Sequence, residues 1–490
     1  MRLPEGSIEA RGAGVGPRGL GYRRELGADL LRARHVVDFL EVVAESAWAS
    51  NTAAREIGAL AEMWPIVPHG VKLSLGSASG IDTARAAKLG ELARRVRAPL
   101  VSEHVAMTST PNRELGHLTA IPRTRVSVAA VVNNVARARR HLPDVPLLLE
   151  NIATTFDWPE HTMSEPDFYA EVAERSGCDL LLDVANLYAN AVNAGLDPVS
   201  VARAFPLDRV RMIHIAGGVF EDGFYFDTHA DPVPDAVFAV LEAVLSAAPS
   251  ASIVLERDAH FEPGLDPLVK ELERASALRP SATRTTGSTA AERRAPAPLA
   301  VEAAELHALA ERQESVAELL VGAASPSGAL AEQIGETALL RTRKLLERKR
   351  VDDALPLLAN LQARGAAVGH VAAHVVARLP RGPRRQGLTD AWLIAVASLA
   401  ERALADDARR DRLLLRASFC FPDAAARARG AVPSPRLGPF VGFERLSSGA
   451  TLWAVKGFGA RVYLHTRQPS YPRLRSAELH DQRTDPDRTP

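Results

Sequence analysis

The sequence predicts an α/β protein whose front part is a (β/α)8 TIM barrel, followed by a small helical domain and a C-terminal antiparallel β meander. Three observations carry the barrel. Between Gly19 and Leu278, short runs rich in Val, Leu and Ile alternate with longer helix-like stretches. The runs are apolar on consecutive residues, as in parallel strands buried on both faces. Their number and the length of about 260 residues suit a closed barrel. No Gly-rich phosphate-binding turn follows any run, which argues against a doubly wound open sheet.

The strand candidates are Gly19–Arg23, Val36–Val43, Ile66–Leu75, Pro99–His104, Val145–Asn151, Asp179–Asn186, Val210–Ile215 and Ser252–Arg257. Helical stretches such as Asp82–Arg97, Thr124–His141, Glu165–Ser176 and Pro232–Ala248 lie between them. The barrel is expected over 19–279, after a flexible N-terminus at 1–18. Residues 280–298, rich in Ser, Thr, Ala, Arg and Pro without a period, read as a linker. Helical patterns then run through 299–430, from Val301–Ala324 to Thr389–Asp406. The segments Phe440–Leu446, Thr451–Val455 and Arg461–Thr466 predict the meander within 431–467, and 468–490 reads as a disordered tail.

Bulk properties narrow the function classes. The 59 basic and 59 acidic residues cancel, but residues 281–490 hold 31 Lys and Arg against 22 Asp and Glu, leaving the front half acidic. An acidic front half suits a site that collects cations, while scattered rear arginines predict no nucleic-acid surface. Two cysteines, Cys178 and Cys420, exclude a disulfide framework and any Cys-based zinc or iron–sulfur centre. The first residues have no signal-peptide core, and no run of 18 apolar residues occurs. A cytoplasmic protein without a membrane segment is expected.

The chemistry is read at the strand ends. Their C-terminal tips carry Arg23, Glu41, His69, Glu103 with His104, Glu150 with Asn151, Asp183 with Asn186, His214 and Glu256. Barrel enzymes assemble their sites on that face. One polar residue at a strand end means little, but so many carboxylates and imidazoles repel or strand one another unless cations gather them. His69, His104, His214, Glu150, Asp183 and Glu256 form a mixed nitrogen and oxygen donor set. It suits iron, manganese or zinc and is too rich in imidazole for magnesium or calcium. Six ligands exceed the needs of one ion with an open position, so two ions sharing a carboxylate are expected. Asp227-Thr228-His229 and Asn186 offer donors for a third. Each motif alone has a plain structural reading: His69 as a buried histidine bonded to backbone, Asp183 as a helix cap.

Taken in order, Pro68-His69-Gly70-Val71, Leu73-Ser74-Leu75-Gly76, Val101-Ser102-Glu103-His104, Leu149-Glu150-Asn151, Leu181-Leu182-Asp183-Val184, Ile213-His214-Ile215-Ala216-Gly217, Asp227-Thr228-His229 and Leu255-Glu256-Arg257-Asp258 closely resemble the multinuclear non-heme iron-dependent oxidases. That barrel family includes the methanobactin biosynthesis oxidase, and the resemblance covers about residues 12–275. It implies iron (two ions, or three), O2, and oxidative modification of a ribosomally made peptide, often at cysteine. It further implies that His69 and His104 hold one iron, that Glu150 bridges, and that Asp183, His214 and Glu256 hold the second. Asn186, Asp227 and His229 match positions near the third. Gly218 stands where many members have a histidine of that third position, and Ala185 and Ala194 replace a common Asn and His.

Glu103, Glu41 and Arg23 are the candidates for holding the ligands in place or touching substrate. The rear half, at Leu306–Gly322 and toward Lys344–Arg350, resembles the C-terminal domains of actinobacterial members and the family's small partner proteins. Two readings of it stand side by side: a fused partner presenting the peptide, with the meander edges open to strand addition, and a plain stability domain. The alternatives are a zinc or manganese hydrolase or isomerase on the same scaffold, or a non-catalytic peptide-binding protein with a decayed site.

Overall fold

The structure, a computed structural model, describes residues 16–48, 50–262, 264–280, 299, 301–322, 326–379, 387–428, 431–459 and 461–467. Most of the 1–18 segment, the 280–298 linker and the whole 468–490 tail lie outside the described residues. The chain divides into two compact units, the first running through Lys349 and the second taking in most of the chain beyond it.

Eight parallel strands close the barrel in the first unit. They are β1 (Arg18–Gly21), β2 (Phe39–Val43), β3 (Ile66–Gly70), β4 (Val101–His104), β5 (Leu147–Glu150), β6 (Asp179–Asp183), β7 (Val210–Ile215) and β8 (Ser252–Leu255). Each pairs with its sequence neighbours, and β8 closes on β1. Short polar side chains start the connecting helices where the backbone donors are unpaired. Ser50, Asp82, Thr124, Ser164 and Asp183 each accept an amide hydrogen from the first turn. That cap explains a difference from the sequence expectation. The sixth strand ends at Asp183 rather than Asn186, because Asp183 captures the Asn186 amide and opens the helix Val184–Asn193.

Side chains alternate along a strand, so inward positions recur every second residue. Phe39, Val67, Leu148, Leu181, Met212 and Val254 form one buried cluster inside the barrel. Two residues further along each strand stand Glu41, His69, Glu150, Asp183, His214 and Glu256, all buried. The interior is thus a layer of apolar side chains beneath a layer of ionisable ones. Gly19 makes room at the base: a Cβ there would lie 2.4 Å from the Phe39 ring.

Beyond the barrel strands, the helix Ala303–Val321 and the part of Glu336–Ala354 up to Lys349 fall in the first compact unit. Val316, Ala317, Leu320, Leu339 and Leu346 belong to the barrel's own hydrophobic cluster. Buried Gln313 donates to Gly76 O and accepts from Ala78 N, each at 2.8 Å. Thr342 meets Thr155 at 2.7 Å, and the Arg341 guanidinium covers the Phe224 ring at 3.9 Å. Gly76, Thr155 and Phe224 lie in the loops after β3, β5 and β7, so this helical pair walls one side of the barrel mouth.

The second unit packs short helices, among them Ala366–Ala377, Gly387–Ala397 and Ala405–Ser418, around Leu361, Val368, Ala372, Ile394 and Leu415. The antiparallel strands β9 (Phe440–Arg445), β10 (Thr451–Lys456) and β11 (Val462–Arg467) form the expected meander. Among the described residues no helix is long and apolar enough to cross a membrane.

Candidate metal centre

Glu150 at the tip of β5 lies at the middle of the ionisable layer. Its Oε2 is 3.4 Å from His69 Nε2 and 3.1 Å from His104 Nε2. Its Oε1 is 3.1 Å from His214 Nδ1. One carboxylate therefore faces a pair of imidazoles with one oxygen and a third imidazole with the other. His214 Nδ1 also faces Glu256 Oε2 at 3.4 Å and Asp183 Oδ2 at 3.9 Å, while its Nε2 meets Glu41 Oε2 at 2.8 Å. Further out, His229 lies 3.2 Å from Glu256 through Nδ1 and 2.5 Å from Asp227 through Nε2.

Four overlapping groups have donor atoms close enough to share an ion: His69–His104–Glu150, Glu150–Asp183–His214, Glu41–His214–Glu256 and Asp183–His229–Glu256. The orientations match that purpose better than a hydrogen-bond network. Asp183 Oδ2 and Asp227 Oδ1 are buried with no hydrogen-bond partner, and Glu41 Oε2, Glu150 Oε2 and both His214 ring nitrogens approach their neighbours without the geometry of a hydrogen bond. Buried polar groups in folded proteins are nearly always paired. So many orphans converging on shared points are what a donor set for cations looks like when only protein atoms are counted.

The surrounding groups hold this layer in position. Ser102 Oγ meets His69 Nδ1 at 2.9 Å, and Gly70 O meets His104 Nδ1 at 3.1 Å, which leaves each Nε2 to face Glu150. Glu103 accepts from the amides of His104 at 2.9 Å and Leu73 at 3.1 Å, fastening the loop after β3. A Cβ on Gly70 would sit 2.4 Å from that carboxylate, so a larger residue there would push Glu103 out of this position. Asn151 accepts from Asp183 N at 2.8 Å and donates to Asp183 O at 2.9 Å. Asn186 donates through Nδ2 to Asn151 O at 3.1 Å. Arg23 sits at the rim, bonded through Nε to Asp258 Oδ1 at 2.8 Å and 4.0 Å from Glu256.

Electrostatics in the metal-free layer follow from crowding. Burial raises the Glu150 carboxyl, but His104, His214 and His69 outweigh it and hold the group at about 2. Burial disfavours the His104 cation, yet Glu150 and Glu103 bring it up to about 9. Burial, with Asp227 and Glu150 nearby, pushes Asp183 up to about 7. Burial and the charge of Glu103 likewise lift Glu45 to about 7.

Residues 17–279 match the model of the RiPP precursor modification enzymes MbnB/TglH/ChrH, a span containing every residue of the cluster. The chain belongs to the MbnB/TglH/ChrH family. It is 38% identical over 287 residues to a UPF0276 protein of Streptomyces avermitilis, a match spanning 56% of this chain and 58% of that relative. A UPF0276 protein of Caulobacter vibrioides is 38% identical over 267 residues, 54% of this chain and 93% of its own. Among solved structures, 3-keto-D-glucoside 4-epimerase from E. coli is 13% identical with a TM-score of 0.36, covering 54% of this chain and 98% of that one. The family model falls on the barrel, the part of this MbnB/TglH/ChrH family member that carries the cluster.

Of the residues singled out from sequence, the structure brings together His69, His104, Glu150, Asp183, His214, Glu256, Asp227 and His229. Glu41 joins them as a neighbour of His214 rather than standing apart. Asn186 is held by Asn151, and Glu103 and Arg23 flank the layer. Sequence reasoning gave no role to Ser102 or Asn151. Ser102 lies two residues before His104, and that period-two spacing on β4 is the signal that points it inward.

Proposed function

We propose that this chain is an iron- and O2-dependent oxidase that modifies a ribosomally synthesised peptide, with cysteine as the reacting residue. One observation carries the reading: Glu150 turns one oxygen to His69 and His104 and the other to His214, the arrangement a carboxylate needs to bridge two ions. The unpartnered buried atoms fit such ions, and the mixed imidazole and carboxylate donors suit iron. His69 and His104 would hold one ion with Glu150, and Asp183, His214 and Glu256 the second, with Glu41 beside them. Asn186, Asp227 and His229 would serve a third. When bound, iron supplies a meeting place for oxygen and a substrate thiolate, and electrons for oxygen reduction.

The chain's own residues do the rest. Ser102 and the Gly70 carbonyl fix which nitrogen each imidazole presents. Glu103 keeps the loop after β3 against the layer, and Arg23 with Asp258 guards the rim next to Glu256. The helical pair on the mouth loops screens that side from water. It also supports reading the segment beyond the barrel as a built-in part of peptide recognition, since it rests on the loops that frame the site.

The test is anaerobic iron loading followed by turnover. A short cysteine-containing peptide encoded beside the gene is the substrate of choice. Wild-type protein should consume O2 with this peptide, and Glu150→Ala and His214→Ala should lose both iron and turnover. Two irons per chain retained in either variant would contradict the reading. Purified protein that carries zinc and acts without oxygen would favour a hydrolase.

A further inference from the structure

A cavity of about 350 Å³ lies at the end of the barrel where its strands begin, enclosed by the segments leading into β2 and β3. The ionisable layer sits at the other ends of the same two strands, at Glu41 and His69. A volume of this order is that of a small-molecule site. Trp64, 4% exposed, lines the cavity together with the buried Val37. A buried indole ordinarily donates its N–H, as Trp158 does to Ala120 O at 2.9 Å. The Trp64 N–H has no such partner among the described residues. Nor is its nitrogen sealed in the interior, so the donor is open to a ligand in the cavity that its ring lines.

The charges around the cavity are one-sided. Arg32 is bonded to Asp29 at 2.9 Å, and the cavity's own acid, Asp38, accepts from Arg18 N at 2.9 Å. Arg34 and His35 line the same cavity with no carboxylate partner among the described residues. The Arg34 guanidinium stands 6.0 Å from the centre of the Trp64 ring, against 3.8 Å for Arg274 over Phe238 and 3.9 Å for Arg341 over Phe224. Those two arginines rest on their rings, whereas Arg34 stands off with its donors unspent. An anion answers a guanidinium and an imidazole of this kind, and a flat ring answers the indole.

We propose that this cavity is a second binding site, for a small anion that carries a flat ring. Its charge rests on Arg34 and His35, its ring lies along Trp64 and Val37, and one of its oxygens accepts the indole N–H. A mononucleotide and an aromatic carboxylate share that chemistry. The site stands apart from the metal centre, so metal-free protein tests it.

Full-length, metal-free protein labelled with 15N-tryptophan is titrated with AMP, indole-3-acetate and inorganic phosphate, and the indole N–H signals are followed by NMR. The Trp64 signal, assigned by its loss in Trp64→Phe, should shift and saturate with a Kd below about 1 mM for AMP or indole-3-acetate. Arg34→Ala, a change at an exposed side chain, should weaken that binding at least tenfold, and Arg274→Ala should leave it unchanged. Saturation by AMP alone identifies a phosphate ligand, by indole-3-acetate alone a carboxylate, and by both a site that reads only the shared chemistry. Inorganic phosphate binding as tightly as either ring compound overturns the proposal, because Trp64 then plays no part. So does the absence of saturation with every probe, or binding that Arg34→Ala leaves intact.

Discussion

Asp390 in the C-terminal unit and Asp183 in the barrel are both buried aspartates, and the two units treat them in opposite ways. Asp390 receives Arg350 through two bonds, Nε to Oδ2 at 3.0 Å and Nη2 to Oδ1 at 2.6 Å, and Arg350 also donates to Val376 O at 2.8 Å. Asp183 spends one oxygen on capping a helix, while the other is buried, unpaired and turned toward further acids. The first arrangement is closed: charge, donors and acceptors balance within the protein. The second is open, and the missing positive charge must come from outside. A buried acid answered by a guanidinium belongs to the fold, and a buried acid left unanswered among imidazoles belongs to a ligand.

That contrast can be broken experimentally, and the largest effect belongs to the closed pair. Asp390→Ala should destabilise the C-terminal unit by about 3–5 kcal/mol in urea unfolding, because Arg350 is left buried and alone. A loss below about 1 kcal/mol would mean that water already reaches the pair, a cost no higher than a surface ion pair. Next comes the effect of metal on the open site. Iron at a hundredfold its Kd should stabilise the barrel by about 2.7 kcal/mol over chelator-treated protein. The transition of the C-terminal unit should not move. Equal shifts in both transitions would dissolve the distinction.

The third expectation concerns charge within metal-free protein. Asp183 is raised from its ordinary 3.8 to about 7, so the folded barrel binds a proton more tightly than the unfolded chain. Its contribution to stability is therefore present below 3.8 and is lost as pH rises toward about 7. Asn can still cap the helix and does not ionise. Asp183→Asn should accordingly melt higher than wild type at pH 8, with the gap closing below pH 4. A variant that melts lower at pH 8 would show that Asp183 is paired after all. The smallest effect is expected from removing the closed pair entirely: Arg350→Met with Asp390→Leu should stay within about 1.5 kcal/mol of wild type, since apolar replacements of a buried pair are often neutral.

Much of this was legible before the structure. Strands buried on both faces announce themselves as unbroken apolar runs, and the tips of β3 to β8 gave away the ligand layer because acids and imidazoles rarely end so many strands. Glu41 was harder to place. Its membership follows from a finer rule: on six strands the ionisable residue of the layer stands two residues beyond an inward apolar side chain, as Glu41 does after Phe39 and His214 after Met212, His104 after Ser102 being the polar exception. The hairpin after β7, Val219–Glu221 with Phe224–Phe226, also had a signal, Asp222-Gly223, both at positive φ as a type I′ turn requires. The helical pair was not legible as part of the barrel unit. Its apolar stripe shows that something covers it, and only the folded chain shows that the barrel's own hydrophobic cluster supplies the cover.

The central claim is that cations hold the ionisable layer together, and counting them is the most direct test. Full-length protein loaded anaerobically with 57Fe should contain at least two irons per chain, with Mössbauer spectra showing a coupled pair. Fewer than one iron per chain, or iron present only as isolated, uncoupled ions, would contradict a bridging Glu150.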